Sequence, residues 1–171
     1  MKIRCVILLT VFFLLPWPAR GEHTLTSQQH KVLARWLAGH PQFRNAEDRD
    51  CDCATDIERI REGTGVGWQA IPDYHPFAAT GDFNGDGAED FAVIVVDQSK
   101  RENPGTLLVF NGPFKSPVKS PAFLKSGLKL KLQALFYGPP ALLAHQLVLG
   151  CFECDAASVV VPHGRGYRLG G

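Results

Sequence analysis

Most of this chain is divided into short runs of β-forming residues by glycine, proline and asparagine, and that pattern limits the folds open to it. The runs begin beyond Gly67, and no segment between them has the length and periodicity of a helix. Without helical crossovers, neighbouring strands are expected to pair in an antiparallel manner. Strands are predicted near residues 77–81, 91–96, 106–110, 128–136, 146–152 and 158–162.

The longest predicted strand, residues 128–136, alternates between apolar and polar side chains. Leu128, Leu130 and Leu132 would face a core, whereas the lysines between them would face water. A period of two is typical of a strand that is buried on one face only. We therefore expect one continuous, half-buried strand in this region.

Two segments before the β-rich part have the periodicity of helices. Residues 27–39 place Leu33 and Trp36 on one helical face, and residues 55–63 place Ile57 on another. The predicted fold class is therefore α+β, with two N-terminal helices packed on a mainly antiparallel β-sheet.

The first twenty-one residues have the features of a secretory signal peptide. Lys2 and Arg4 precede an apolar run that is shorter than the about 20 residues needed to span a bilayer. Small residues then precede Glu22, which suits cleavage before this position. We expect a single exported α+β domain, residues 22–171, that is periplasmic or secreted and has no transmembrane segment after cleavage of residues 1–21.

The net charge gives no electrostatic argument for a nucleic-acid partner. The formal net charge is +1, and losing Lys2, Arg4 and Arg20 with the signal peptide would change it to −2. Residues 103–152 contain lysines and no acidic residue. These lysines would form a solvated face or, alternatively, an anion-binding surface for a macromolecule or a cell-envelope component.

Four cysteines remain after signal cleavage, and they form two close pairs: Cys51 with Cys53, and Cys151 with Cys154. An even number of cysteines in an exported chain favours disulfide bonds. Because a bridge across Cys-x-Cys requires a tight backbone turn, we expect two bridges between the pairs. Each would close a long loop and stabilise the fold by up to about 4 to 5 kcal/mol. A bridge within Cys-x-x-Cys and a zinc site are the alternatives.

The segment GDFNGDGAED, residues 81–90, has the spacing of a calcium-binding loop. Ca²⁺ takes six to eight oxygen ligands, and alternate residues of a tight loop can turn their oxygens toward one centre. Gly87 stands where such a loop turns sharply. The predicted ligands are the side chains of Asp82, Asn84, Asp86 and Asp90 and the backbone carbonyl of Ala88.

The flanks of this loop distinguish it from an EF-hand. The loop of an EF-hand lies between two helices and has a bidentate acid at position 12. Counted from Asp82 as position 1, position 12 here is Val93, and both flanks are strand-like. The predicted site is therefore a strand-loop-strand calcium site. The alternative is a metal-free hairpin turn, because Asn-Gly and Asp-Gly are the commonest hairpin signals.

The longer segment GDFNGDGAEDFAVIV resembles the calcium loop of FG-GAP or VCBS-type repeats, which occur in integrin α-chain propellers and in many bacterial secreted proteins. The resemblance implies that Asp82, Asn84, Asp86 and Asp90 hold calcium between antiparallel strands and brace the fold. It covers only the loop and its flanks. A single copy excludes a propeller, which repeats this unit several times.

No recognisable catalytic set accompanies the loop. The histidines lack metalloprotease spacing, and no nucleophile elbow is present. We therefore expect a non-catalytic binding or structural module. The alternative is a secreted hydrolase with a structural calcium ion, for which His75, Asp73 and Asp97 are the candidate catalytic residues.

Overall fold

The computed structural model describes residues 24–64, 70–115, 120–137, 146–152 and 157–170. These residues form two α-helices and nine β-strands. In chain order the elements are α1 (Ser27–Ala38), β1 (Phe43–Asn45), α2 (Ala54–Glu62), β2 (Ala78–Gly81), β3 (Asp90–Asp97), β4 (Gly105–Phe110), β5 (Phe123–Leu128), β6 (Gln133–Phe136), β7 (Leu147–Cys151), β8 (Ser158–His163) and β9 (Gly166–Gly170).

The strands form two antiparallel sheets. Sheet A contains β1 to β5, and sheet B contains β6 to β9 in sequence order. β3 is the centre of sheet A: β4 pairs along one of its edges, and β1 and β2 share the other. β1 pairs with the end of β3, from Asn45 opposite Val95, whereas β2 pairs with its beginning, from Ala78 opposite Val93. Ile94 lies between these two pairings.

The two faces of sheet A bury different partners. Side chains of a strand alternate between faces, and all eight residues of β3 are buried. Phe91, Val93 and Val95 pack with Leu33 and Trp36 of α1. On the opposite face, the residues between them join one larger core with α2 and sheet B, and these residues are Ala92, Ile94 and Val96.

The edges of the two sheets also meet. The Leu135 N–H of β6 donates to the carbonyl of Pro76, next to β2, over 2.6 Å. At the other side, β9 lies against β5. There the chain passes so close that a Cβ atom at Gly166 would be 2.7 Å from the carbonyl oxygen of Ala122.

The predicted fold class, two N-terminal helices packed on one sheet, is wrong. The chain is mostly β, because two antiparallel sheets share its core and only two helices accompany them. β1 lies between the helices in sequence. The helices also pack on opposite faces of sheet A, since Trp36 of α1 and Ile57 of α2 belong to different clusters of buried residues.

The predicted continuous strand over residues 128–136 is also wrong. β5 ends at Leu128 and β6 begins at Gln133, so the alternating segment contributes to both sheets. Between them, Leu132 has a positive φ of 59°, and the Gln133 N–H donates to the Leu130 carbonyl. The turn interrupts the strand without interrupting the hydrophobic alternation.

The expected bridges between the two cysteine pairs are replaced by a bond within the first pair. Cys51 is bonded to Cys53, with the two Cα atoms 5.1 Å apart. Asp52 between them has a positive φ of 57°, which provides the tight turn that such a bridge needs. Cys151 is also disulfide-bonded, and Cys154 lies outside the described residues.

The predicted signal peptide, and the prediction that the mature chain has no transmembrane segment, concern residues that lie wholly or partly outside the described ranges. The predicted signal peptide, residues 1–21, lies wholly outside them. Among the residues that are described, no helix has both the length and the apolar character needed to cross a membrane.

Candidate metal centre

The predicted calcium loop closes the hairpin between β2 and β3. Gly81 pairs with Asp90 at the ends of the strands, and residues 82–89 form the loop. Gly85 and Gly87 have φ angles of +77° and +82°, a backbone conformation that costs other residues about 1 to 2 kcal/mol. The two glycines therefore allow the loop to curl back over its first residue.

The carboxylate of Asp82 is at the centre of this curl. Its Oδ1 accepts hydrogen bonds from the N–H groups of Gly85 over 2.7 Å and of Asp86 over 3.1 Å. Its Oδ2 accepts one from the N–H of Gly87 over 2.8 Å. Three successive backbone donors thus fix the position of the first predicted ligand and offset part of its charge.

The second and third predicted side-chain ligands are held beside the first. Oδ1 of Asn84 accepts from the same Asp86 N–H, over 2.9 Å, that Oδ1 of Asp82 accepts from. The Asn84 side-chain amide donates to Oδ2 of Asp86 over 3.1 Å. The Ala88 N–H donates to Oδ1 of Asp86 over 2.8 Å. The side-chain oxygens of Asp82 and Asn84 therefore converge on the Asp86 N–H. The Asp86 carboxylate in turn accepts hydrogen bonds from Asn84 and Ala88.

Asp90, the fourth predicted side-chain ligand, is instead buried at the start of β3, with no exposed surface. Its Oδ1 accepts from the Gly112 N–H over 2.8 Å, and its Oδ2 from the Phe83 N–H over 3.0 Å. Burial raises the pKa of this carboxyl group, although these hydrogen bonds oppose the shift. Asp90 therefore connects both ends of the loop to the turn after β4.

Two tyrosines of sheet B hold the ends of the loop, and nothing in the local sequence pattern pointed to them. The hydroxyl of Tyr167 on β9 lies 3.2 Å from Oδ2 of Asp90 and 2.7 Å from Oδ1 of Asn111. The hydroxyl of Tyr137, next to β6, donates to the carbonyl of Asp82 over 3.1 Å. Burial raises the pKa of both phenols, so both remain neutral donors at ordinary pH.

Helix α1 provides a third contact with the loop. The side-chain amide of Gln29 donates to Oε1 of Glu89 over 2.9 Å. Gln29 is almost completely buried, and its own Oε1 accepts from the N–H of the helix cap residue Thr26. Glu89 is thereby directed toward α1 rather than toward the other acidic side chains of the loop.

The acidic side chains of the loop do not form a compact cluster. Within the described ranges, no three His, Cys, Asp or Glu side chains are close enough together to hold a metal ion. Asp82 and Asp86 share the loop with the amide oxygen of Asn84, whereas Asp90 faces the core. A cation held here would take its oxygens mainly from Asp82, Asn84 and Asp86, with the Ala88 carbonyl. Within the described residues, Oδ1 of Asp90 accepts one hydrogen bond, from the Gly112 N–H, which leaves a lone pair for a cation.

The candidate catalytic residues of the hydrolase alternative lie before β2 and at the end of β3. His75 is exposed before β2, and Asp73 is exposed two residues earlier. Asp97 ends β3, accepts hydrogen bonds from the backbone N–H and the hydroxyl of Ser99, and forms an ion pair with Lys100. Among the residues that the structure describes, no hydrogen bond joins any two of these three.

The lysines of the acid-free segment lie mostly at the surface. Lys125 is on β5, where residues 124–127 are exposed. Lys131 is exposed and lies 3.2 Å from the exposed carboxylate of Asp52. An ion pair between two solvated side chains contributes little to stability.

No match to this chain was found among protein-family models, curated protein sequences or solved structures.

Proposed function

We propose that this protein is an exported calcium-binding module in which one Ca²⁺ ion, held by the loop of residues 82–90, braces the junction between sheet A and sheet B. The ion is a structural cofactor rather than a catalytic one. Its ligands are the side-chain oxygens of Asp82, Asn84, Asp86 and Asp90 and the backbone carbonyl of Ala88, with water in the remaining positions.

One observation carries this proposal: Oδ1 of Asp82 and Oδ1 of Asn84 accept from the same backbone N–H, that of Asp86. Two oxygens that share a donor lie on the same side of the loop, where one ion can contact both. A hard cation with six to eight oxygen ligands suits such a loop. Mg²⁺ would require a stricter octahedron and retain more of its water.

Charge supports the same conclusion. Asp82 and Asp86 lie four residues apart in the same curled loop, and within the described residues their carboxylates accept hydrogen bonds from backbone N–H groups and one side-chain amide but form no ion pair. Like charges at this separation disfavour the folded loop. A doubly charged ion between them would reverse that effect and order residues 82–89.

The contacts at the ends of the loop explain how the ion would act beyond it. Tyr137 and Tyr167 connect the loop to sheet B, and Gln29 connects it to α1. Order in the loop would therefore favour the docking of sheet B on sheet A. We further propose that the braced fold presents an exposed surface, including Lys125 and Lys129, to an anionic macromolecule or cell-envelope component.

Thermal unfolding of the secreted protein tests the calcium site. A ligand that binds only the folded state stabilises it by about 2.7 kcal/mol at a hundredfold excess over Kd. We expect the melting temperature to rise when calcium replaces the chelator EGTA, and to rise much less with magnesium.

Two matched substitutions complete this experiment. Asp86→Ala should abolish the calcium-dependent rise. Asp73→Ala removes a carboxylate that is also exposed but lies outside the loop, and it should preserve the rise. If calcium does not change the melting temperature of the wild-type protein, or stabilises Asp86→Ala equally, the loop is a metal-free hairpin turn.

A further inference from the structure

A cavity of about 250 Å³ lies beside the gap between β1 and β2, away from the calcium loop. Both strands pair with β3, but β1 ends opposite Val95 and β2 begins opposite Val93. Ile94 in the gap bonds to flanking backbone instead, since its carbonyl accepts from Ala46 and its N–H donates to Phe77. Neither β1 nor β2 pairs with β3 at Ile94, and residues of α1 form the wall of the cavity that faces β3.

The inner part of the cavity is apolar. It is formed by buried side chains of α1 and sheet A, namely Leu33, Phe77, Val93 and Ile94, together with the half-buried Ala78. Pockets for drug-sized ligands enclose about 300 to 1,000 Å³, and a dry cavity of about 150 Å³ takes a benzene ring. This cavity therefore fits a short alkyl chain or a single ring with one polar group.

The mouth of the cavity carries two imidazoles. His30 on α1 and His75 before β2 both line it, and both side chains are exposed. The structure gives neither ring a hydrogen bond or an ion pair within the residues that it describes. Two rings on different elements thus offer N–H groups to a molecule that enters the cavity.

Asp48, the carboxylate among the described residues that line the cavity, does not make it a cation site. Asp48 lines the cavity, but its Oδ2 accepts from the guanidinium of Arg61 over 2.9 Å. Its charge is therefore offset by a neighbouring cation. The two imidazoles that remain at the mouth can donate N–H groups, which suit a carboxylate.

We propose that this cavity binds a small monocarboxylate, whose apolar body contacts Phe77 and Ile94 and whose carboxylate accepts hydrogen bonds from His30 and His75. The apolar floor supplies most of the affinity, because burial of apolar surface is its main driving force. The two imidazoles orient the ligand with its charge at the mouth.

Titration of the secreted protein with hexanoate, followed by the NMR signals of the histidine rings, tests this site. The signals of His30 and His75 should shift saturably, whereas that of the exposed His163 on β8 should not. His30→Ala and His75→Ala should each weaken binding by roughly tenfold or more, as expected for the loss of one charge-assisted hydrogen bond. His163→Ala is the matched control and should bind like the wild type.

Two further measurements distinguish this site from unspecific binding. Ala78→Leu fills the floor of the cavity and should abolish the shifts of both rings, while the amide signals of β3 show that the fold is retained. Hexylamine has the same chain length with the opposite charge and should not bind saturably. The proposal is overturned if hexanoate does not shift His30 and His75, if both alanine variants bind it with unchanged affinity, or if hexylamine binds as tightly.

Discussion

The hydroxyl of Tyr167 lies 3.2 Å from Oδ2 of Asp90 and thereby joins the last strand of sheet B to the first residue of the central strand of sheet A. Asp90 is fully buried, and Tyr167 is 8% exposed. A buried polar group that loses its partner costs about 1 to 3 kcal/mol. This contact is therefore expected to contribute strongly to the docking of the two sheets.

We predict that Tyr167→Phe lowers the free energy of unfolding by about 1 to 3 kcal/mol, because Asp90 and Asn111 lose a shared partner. Urea denaturation of this variant, of Asp90→Asn and of the double variant gives a double-mutant cycle. Groups in contact show coupling of at least about 0.5 kcal/mol. Additive effects of the two substitutions would mean that the hydroxyl and the carboxylate do not interact.

Gly87 provides a test of the loop backbone. Gly87→Ala places a Cβ at a φ of +82°, with no atom within 4 Å to clash with, so the cost is conformational and about 1 to 2 kcal/mol. We expect the variant to lose stability and to bind calcium more weakly, because Gly87 donates to Asp82.

Gly164 is the matched control for this substitution. It also has a positive φ, +60°, and free space around it, but it lies in the turn between β8 and β9. Gly164→Ala should lose similar stability in EGTA while its calcium affinity, measured by isothermal titration calorimetry, stays unchanged. Equal calcium affinities for both variants would exclude a role of the loop backbone in binding.

The Arg44–Asp50 pair predicts how stability depends on pH. The guanidinium donates to both carboxylate oxygens over 2.7 and 2.6 Å, and this bonding lowers the pKa of Asp50 in the folded state. A lowered carboxyl pKa stabilises the fold above the unfolded-state pKa of about 3.9, and this stabilisation is lost as the pH falls through the folded-state value.

We therefore expect Asp50→Asn to cost about 1.5 to 3 kcal/mol at pH 7, and the difference from the wild type to shrink below about pH 4. Urea denaturation between pH 7 and pH 3 measures it. Asp56→Asn disrupts a more exposed ion pair with Arg59 and should cost less than about 0.5 kcal/mol. A pH-independent difference for Asp50→Asn would contradict this explanation.

The Cys51–Cys53 bridge can be identified by peptide mapping without reduction. Arg49 and Arg59 flank a tryptic peptide that contains both cysteines. We expect this peptide as a single species whose mass is lower by two hydrogens than that of its reduced form. A peptide joined to the one that contains Cys151 would show bridges between the two pairs instead.

The positions of several strands could be predicted from the sequence, but their division into two sheets could not. The runs that became β3, β4, β7 and β8 are short, apolar and bounded by turn residues, and their pairing is antiparallel as expected. The segment around Leu132 misled the prediction. The alternation of apolar and polar side chains shows which face is buried. Because it continues through the turn, it does not show where one strand ends and the next begins.

The candidate site shows a similar limit. Spacing predicted the residues of the loop, and hydrogen bonds bring Asp82, Asn84 and Asp86 together. The burial of Asp90 and its contact with Tyr167 could not be predicted, because the two residues are 77 positions apart in the sequence. Local patterns carry no information about a partner that distant.

The contacts of β2 with β6 and of β5 with β9 limit the access of other chains to the sheet edges. An open sheet edge presents a row of free N–H and C=O groups, to which another chain can add a strand. Here each sheet shields edge strands of the other, over the part of the chain that the structure describes. Along these stretches, fewer backbone groups are therefore free for another chain to pair with.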